Sequence, residues 1–409
     1  TAFNQNISNW NTARVTTMRN MFSNAAAFNQ NLGSWNLRND GVNMQSMLDN
    51  SGMDCVSYSV TLMGWANNPN TPVSSSLGAI GRQYGTNALP ARATLISKNW
   101  TITGDSNSGT ICIPPLPFIT VWDMSKSSES QSTPTSLRFG ITTWQNEPVS
   151  YTWTASGGNS GSGTLTTNNS ALITGLPAGE IITLSIAPEI EAITIAANSG
   201  NDKRRLVDVT QWGTATWNTM ENAFSDCVNL NITATDMPDL SAVSSMRNMF
   251  RNCQSLTGPA NIGSWNTANV TNMEGMFQNA RAFNQNIGNW NTQNVTNMQG
   301  MFAAAEIFNQ NIGNWNTSNV FNMLGMFFGT KAFNQNIGSW NTQNVMYMGW
   351  MFTNTEVFNQ DIGSWNTSNV TNMDLMFQNA RAFNQNIGSW DTQNVISMNG
   401  MFTNTEVFN

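Results

Sequence analysis

Histidine is absent from this 409-residue chain, and charged side chains make up only 10% of it. Without an imidazole, a serine or cysteine nucleophile has no ready base and a metal loses its commonest nitrogen ligand. Cysteine is scarce, at four residues with no Cys-x-x-Cys pair, and no Asp-rich loop of the calcium-binding type occurs. No apolar run reaches the length of a membrane-spanning helix. Positive charge is thin as well: 16 Lys and Arg stand against 23 Asp and Glu, for a net charge of −7, and only Lys203-Arg204-Arg205 concentrates it. Nucleic acid is therefore excluded as a partner. The scattered carboxylates Glu274, Glu306, Glu356 and Glu406 read as a solvated face rather than an acid and base pair, so no catalytic residue, cofactor or metal site is expected.

What the chain has in excess is aromatic residues and Met in strict register. Phe283, Phe308, Phe333, Phe358, Phe383 and Phe408 are spaced by 25 residues, as are Trp265, Trp290, Trp315, Trp340, Trp365 and Trp390. A fixed period of this size marks a repeat architecture in which stacked units share one core. Within a unit, Phe283, Ile287 and Trp290 lie in an extended polar stretch closed by Gly288, read as a short strand and turn. Val295, Met298, Met301, Phe302 and Ala305 then fall on one helical face, behind an Asn291-Thr292-Gln293-Asn294 segment able to cap a helix start. The expected fold class is thus an α/β solenoid with a parallel sheet and short helices. Its repeat core is Phe283, Ile287, Trp290, Val295, Met298, Met301 and Phe302. Asn284, Asn309 and Asn334, with Asn286, Asn311 and Asn336, are expected to stack as an amide ladder.

The composition changes along the chain. Residues 1–50 carry the end of a first repeat array, and 51–114 a capping segment with amphipathic stretches near Val60–Ala66 and Leu89–Ile96. Residues 115–197 alternate apolar and polar residues between Gly, Ser and Asn clusters, the pattern of an immunoglobulin-like β-sandwich. A second array starts with a cap and degenerate units over 198–255 and continues as regular repeats over 256–409. The chain begins and stops inside a repeat, so it is expected to be a window on something longer.

Cys227 and Cys253 hold the same position in adjacent units, so a disulfide is geometrically open to them, against the alternative of two small buried residues. Cys55 and Cys112 share the capping segment and could pair likewise. Phe321, Met346, Tyr347, Trp350 and Leu375 are apolar residues at variable, surface-type positions, and mark a possible contact surface.

The stretch from Asn286-Ile287-Gly288-Asn289-Trp290 through Asn294-Val295-Thr296-Asn297-Met298 to Gly300-Met301-Phe302 resembles the BspA-like leucine-rich-repeat surface proteins of bacteria. So do Gly64-Trp65-Ala66-Asn67-Asn68 and Trp100-Thr101-Ile102-Thr103-Gly104-Asp105, which are similar to that family's terminal segment. The resemblance implies an extracellular or cell-surface location, adhesion and no catalytic residues. Two functions follow as expectations: a structural and adhesive component that self-associates into fibres through its own modules, or a recognition module that binds glycans or proteins through its repeat face.

Overall fold

The computed structural model describes residues 3–127, 132–195 and 200–408. The expected domain boundary at 197/198 lies outside them. The chain divides into two compact units, Thr1–Pro114 and Pro115–Asn409.

The α/β solenoid of strands and short helices is not what this sequence forms. Regular structure among the described residues is mostly β-strand, in several parallel, antiparallel and mixed sheets, and α-helix is confined to α1 (Cys55–Asn67) and α2 (Leu89–Ser97), both outside the regular repeats. The Phe283–Trp290 stretch pairs with nothing as a strand. Parallel contact between repeats is reduced to single-residue bridges further along, as at Asn272↔Asn297 and Asn297↔Asn322.

Backbone conformation explains why the supposed helical face is not helical. Gly275 and Asn279 have positive φ, and so do Gly300 and Ala304, Gly325 and Gly329, Trp350 and Asn354, and Leu375 and Asn379. A left-handed residue twice in five positions cannot sit in a right-handed helix. The segment instead forms successive three-residue turns, with N–H groups of Met301, Ala303 and Ala305 donating to the carbonyls of Met298, Gly300 and Phe302. Turns closed at i+3 return side chains to one side much as a helix does, so Val295, Met298, Met301 and Phe302 are all buried on the spacing that suggested a helix.

The N–H groups between these turns leave the repeat altogether. Met298, Gly300, Phe302 and Ala304 donate to the carbonyls of Asn322, Leu324, Met326 and Phe328 in the following repeat, and the same four-bond set recurs from Met220 to Asn379. Side chains extend the ladder. Trp290, Trp315 and Trp340 donate their indole N–H to Ile262, Ile287 and Ile312 of the preceding repeat at 2.8, 3.1 and 3.1 Å. Asn284 Oδ1 accepts from the Asn309 backbone N–H (2.9 Å) and from Gln310 Nε2 (3.0 Å), and Asn309 serves Asn334 and Gln335 in the same way. The ladder therefore does not join equivalent Asn side chains to one another: each Asn Oδ1 takes the backbone N–H of the next Asn and the side-chain amide of the Gln beside it, while Asn286 and Asn311 stay within their own repeats, closing turns at Gly288 and Gly313. Inside, the rings of Phe277 and Phe283 stack at 3.9 Å and those of Phe302 and Phe308 at 4.0 Å.

After five short strands in the first unit, the described residues between 115 and 195 build β6 (Phe118–Asp123), β7 (Ser136–Thr143), β8 (Val149–Ala155), β9 (Ser160–Leu165), β10 (Asn168–Thr174), β11 (Ile181–Ile186) and β12 (Ile190–Thr194). The expected immunoglobulin-like sandwich is not closed off as a domain of its own. One sheet is three-stranded, β10-β7-β12. The other has six strands, β14-β13-β6-β11-β8-β9, and takes in β13 (Leu206–Gln211) and β14 (Asn231–Ile232) from the second repeat array. The two sheets meet through Trp122 and Phe139, 5.6 Å apart, and one apolar core runs from Phe118 to Met401. At the junction Phe118 stacks on Trp212 and Trp217 meets both rings edge on, while the buried Arg205 donates to the carbonyls of Thr133 and Ser136 beside buried Asp202.

In the first unit, β1 (Asn43–Met44), β2 (Ser76–Gly78) and β4 (Thr101–Thr103) form a parallel sheet, and β3 (Gln83–Tyr84) pairs with β5 (Ser106–Asn107). Asp54 caps α1 by accepting from the Ser57 N–H at 2.7 Å. Cys55 at the start of that helix is disulfide-bonded to Cys112.

Two outcomes follow. A Cβ on Gly313 would stand 2.6 Å from the Asn336 carbonyl oxygen of the next repeat. Gly313→Ala should cost about 1–3 kcal/mol in urea unfolding, because backbone on both sides must shift. Replacing Cys55 and Cys112 together by Ser opens a loop with a sequence separation of 57. On the chain-entropy model that removes about 4 kcal/mol from the first unit, visible as a lowered melting transition for that unit alone.

Candidate functional site

The repeat core residues Phe283, Ile287, Trp290, Val295, Met298, Met301 and Phe302 are all buried, so the regular Trp column offers no platform to a ligand. The surface residues behave differently. Phe321, Tyr347 and Trp350 are 40%, 39% and 38% exposed, and Leu375 is half-buried with its side chain over Gly400. They stand in columns that are Thr, Asn or Gly in most repeats, the Phe321 column also holding Met346 and Ile396. Tyr347 occupies the position of Asn297, Asn322 and Asn372, and Trp350 that of Gly275, Gly300 and Gly325.

Those three glycines form the floor of a trough of about 460 Å³, within the usual range for small-ligand sites. Their φ values of about 60° suit glycine, and the missing side chains make the depression. One wall holds Glu274, Gln299 and Leu324, the other Gln278, Ala303 and Phe328. Trp350 stands at one end and Arg247, Asn248 and Arg251 at the other. Trp350 keeps a φ of 55°. For a bulky side chain this costs on the order of 1–2 kcal/mol, the kind of strain that surrounding structure must impose.

The polar side chains are held in place. Arg247 lies between Glu274 (3.2 Å) and Glu221 (3.1 Å), and hydrogen bonding first to Glu274 and then to Glu221 raises its pKa further, so it is permanently charged. Glu274 also accepts from Asn297 Nδ2 at 3.1 Å, and Gln299 Oε1 from Asn322 Nδ2 at 2.9 Å. Arg251 and the Gln278 amide have no side-chain partner among the described residues, and neither does the indole N–H of Trp350.

Sequence reasoning singled out Trp350 but missed the trough. Reading each repeat position as a column would have found it, since glycine recurs at 275, 300 and 325 and then gives way to Trp. Glu274 is a trough wall paired with Arg247, whereas Glu306 makes ion pairs with Arg281 and Lys331 elsewhere on the repeat surface.

Cys227 and Cys253 are free thiols, so the disulfide considered for them is not formed. Both are fully buried, and the Cys253 thiol donates to the Phe224 carbonyl at 3.1 Å. Burial pushes both thiols well above their ordinary pKa. Among the described residues no cluster of three or more His, Cys, Asp or Glu could hold a metal, and no helix is long and apolar enough to cross a membrane.

A family model described as "Mycoplasma protein of unknown function, DUF285" matches residues 1–66, 218–324 and 307–409, more than half of the chain. No curated protein and no solved structure matches.

The buried thiols set a test. The folded chain should resist a thiol reagent at pH 8, and unfolding in denaturant without reductant should release the two free cysteines. Labelling of Cys227 or Cys253 at the rate of a free thiol in the folded state would contradict the packing described.

Proposed function

We propose a function from the premise that the chain belongs to the DUF285 family, whose description assigns none, so that the reading rests on the chain's own geometry. The protein is a non-catalytic, structural and adhesive component that works outside the cell or at its surface. Its stacked repeats serve as a stiff scaffold, and one lateral face makes the contact. The observation that carries this is local: Phe321, Phe328, Met346, Tyr347 and Trp350 are exposed in two adjoining repeats, where the neighbouring repeats carry polar or small residues apart from Leu375. Aromatic residues grouped on a surface otherwise rich in amides are the usual mark of a recognition face.

The Cys55–Cys112 bond supports an oxidising location, because such bonds are rare in reducing compartments. The resemblance to BspA-like surface proteins supports adhesion. Arg247 and its two glutamates add rigidity rather than charge to the face.

The test reverts each exposed residue to the type its column already tolerates: Phe321→Thr, Tyr347→Asn and Trp350→Gly in one variant. Attachment of the purified chain to bacterial cell envelopes or host-cell surfaces should fall at least tenfold while the melting temperature stays close to wild type. Undiminished attachment would overturn the role of this face. Loss of sedimenting oligomers in the variant, with attachment unchanged, would show that the face serves contact between copies instead.

A further inference from the structure

We infer that the trough floored by Gly275, Gly300 and Gly325 is a binding site for a neutral oligosaccharide. This rests on the adhesive reading and names its ligand class. Four observations converge on it.

The floor has no free backbone N–H, and each of its carbonyls already accepts one hydrogen bond. The N–H groups of Gly275, Gly300 and Gly325 donate to Gln299, Leu324 and Gly349, and their carbonyls accept from Gln278, Ala303 and Phe328. An extended peptide added as a strand needs main-chain donors as well as acceptors, and the glycine floor offers no donor. Recognition must come from side chains.

Those side chains balance in charge. Arg247 and Arg251 are offset by Glu221 and Glu274, with Arg247 bonded to both carboxylates. A phosphate or an acidic polymer would meet Glu274 on the wall, so a neutral ligand fits better.

The wall supplies both donors and acceptors. Gln299 gives its Oε1 to Asn322 and keeps its NH2 group for a ligand, while Gln278 has both amide functions open and Arg251 its guanidinium. Hydroxyl groups donate and accept, and a row of them matches this mixed set where a purely acidic or basic ligand would not.

Finally, the trough is amphipathic along its length. Polar groups stand at the Arg247 end, and Phe328 and Trp350 present aromatic surface at the other. Parallel repeats rise by about 4.8 Å per step, so from Gly275 to Trp350 the trough runs for about 14 Å. A sugar ring has one apolar face of C–H groups and a polar rim, and a short chain of rings can stack on an aromatic side chain at one end while its hydroxyls engage amides along the other. Trp350 suits that role. Its side chain is exposed, its indole N–H is open, and its backbone is held in a conformation that the same position in the second array leaves to Gly or Asn apart from Leu375.

The experiment screens the full chain against immobilised neutral oligosaccharides, namely β-glucans, galactans, mannans and chitin oligomers, and then titrates the best binder by calorimetry. Two variants test the site. Trp350→Gly removes the aromatic end, and Gly300→Asn fills the floor with a residue that Asn222 and Asn248 show to be compatible with the same positive φ. Each should weaken binding at least tenfold while the chain still unfolds cooperatively, with Trp350→Gly melting at or above the wild-type temperature because its left-handed backbone no longer carries a side chain. A sugar that binds wild type and both variants equally would overturn the assignment to this trough. Binding of no neutral sugar overturns the ligand class; if attachment to cell surfaces is nevertheless lost in Trp350→Gly, the adhesive reading stands and its partner is a protein. If wild type binds neither sugar nor surface, both readings fail.

Discussion

Four backbone N–H groups in each repeat find no acceptor within that repeat, and their satisfaction by the next one is the constraint from which the array follows. A buried amide without a partner is costly, so a repeat in isolation is not a viable structure. The remaining regularities serve this ladder. Glycine at 288, 313, 338 and 363 lets a neighbouring carbonyl come within 2.6 Å of where a Cβ would sit. The left-handed residues turn alternate peptide groups along the array, and the Trp, Thr and Asn side chains add further bonds in the same register, as when Thr292 Oγ1 donates to the Asn316 carbonyl at 3.0 Å.

Much of the core could be read directly from residue spacing, since the Phe, Ile, Trp, Val and Met columns are buried through the interior repeats and open only in the first and last ones, as at Trp10 and Phe402. Backbone conformation could not be read in the same way. A spacing of three and four residues belongs to an α-helix and equally to successive turns closed at i+3, and hydrophobic periodicity alone does not separate them. The separating signal was present in Asn279, Gly300, Gly325 and Asn354, residue types suited to positive φ, but each is an ordinary constituent of a polar surface when read singly. The trough was hidden for a related reason: it consists of missing side chains, and only comparison between repeats shows that glycine gives way to Trp350.

The β-domain and the second array share one sheet. β13 pairs antiparallel with β6 on one side and parallel with β14 on the other, so the strand that closes the domain also opens the repeats. The apolar core continues through Trp212, Trp217 and Trp265 without a polar break, and Gly213 turns beneath the Leu116 carbonyl where a side chain would collide. A hinge at this point would have to expose tryptophan and break sheet hydrogen bonds together.

The same ladder gives the array an electrical direction. In each repeat the carbonyls that accept from the preceding repeat and the N–H groups that donate to the following one belong to the same peptide units, as at Asn297 with Met298 and at Gln299 with Gly300. Four peptide dipoles per repeat therefore lie along the stack in one sense, with N–H groups facing later repeats, the reverse of an α-helix, where they face the N-terminus. Head-to-tail dipoles cancel internally and leave partial charge only at the ends, so lengthening the array moves its two poles apart without enlarging either.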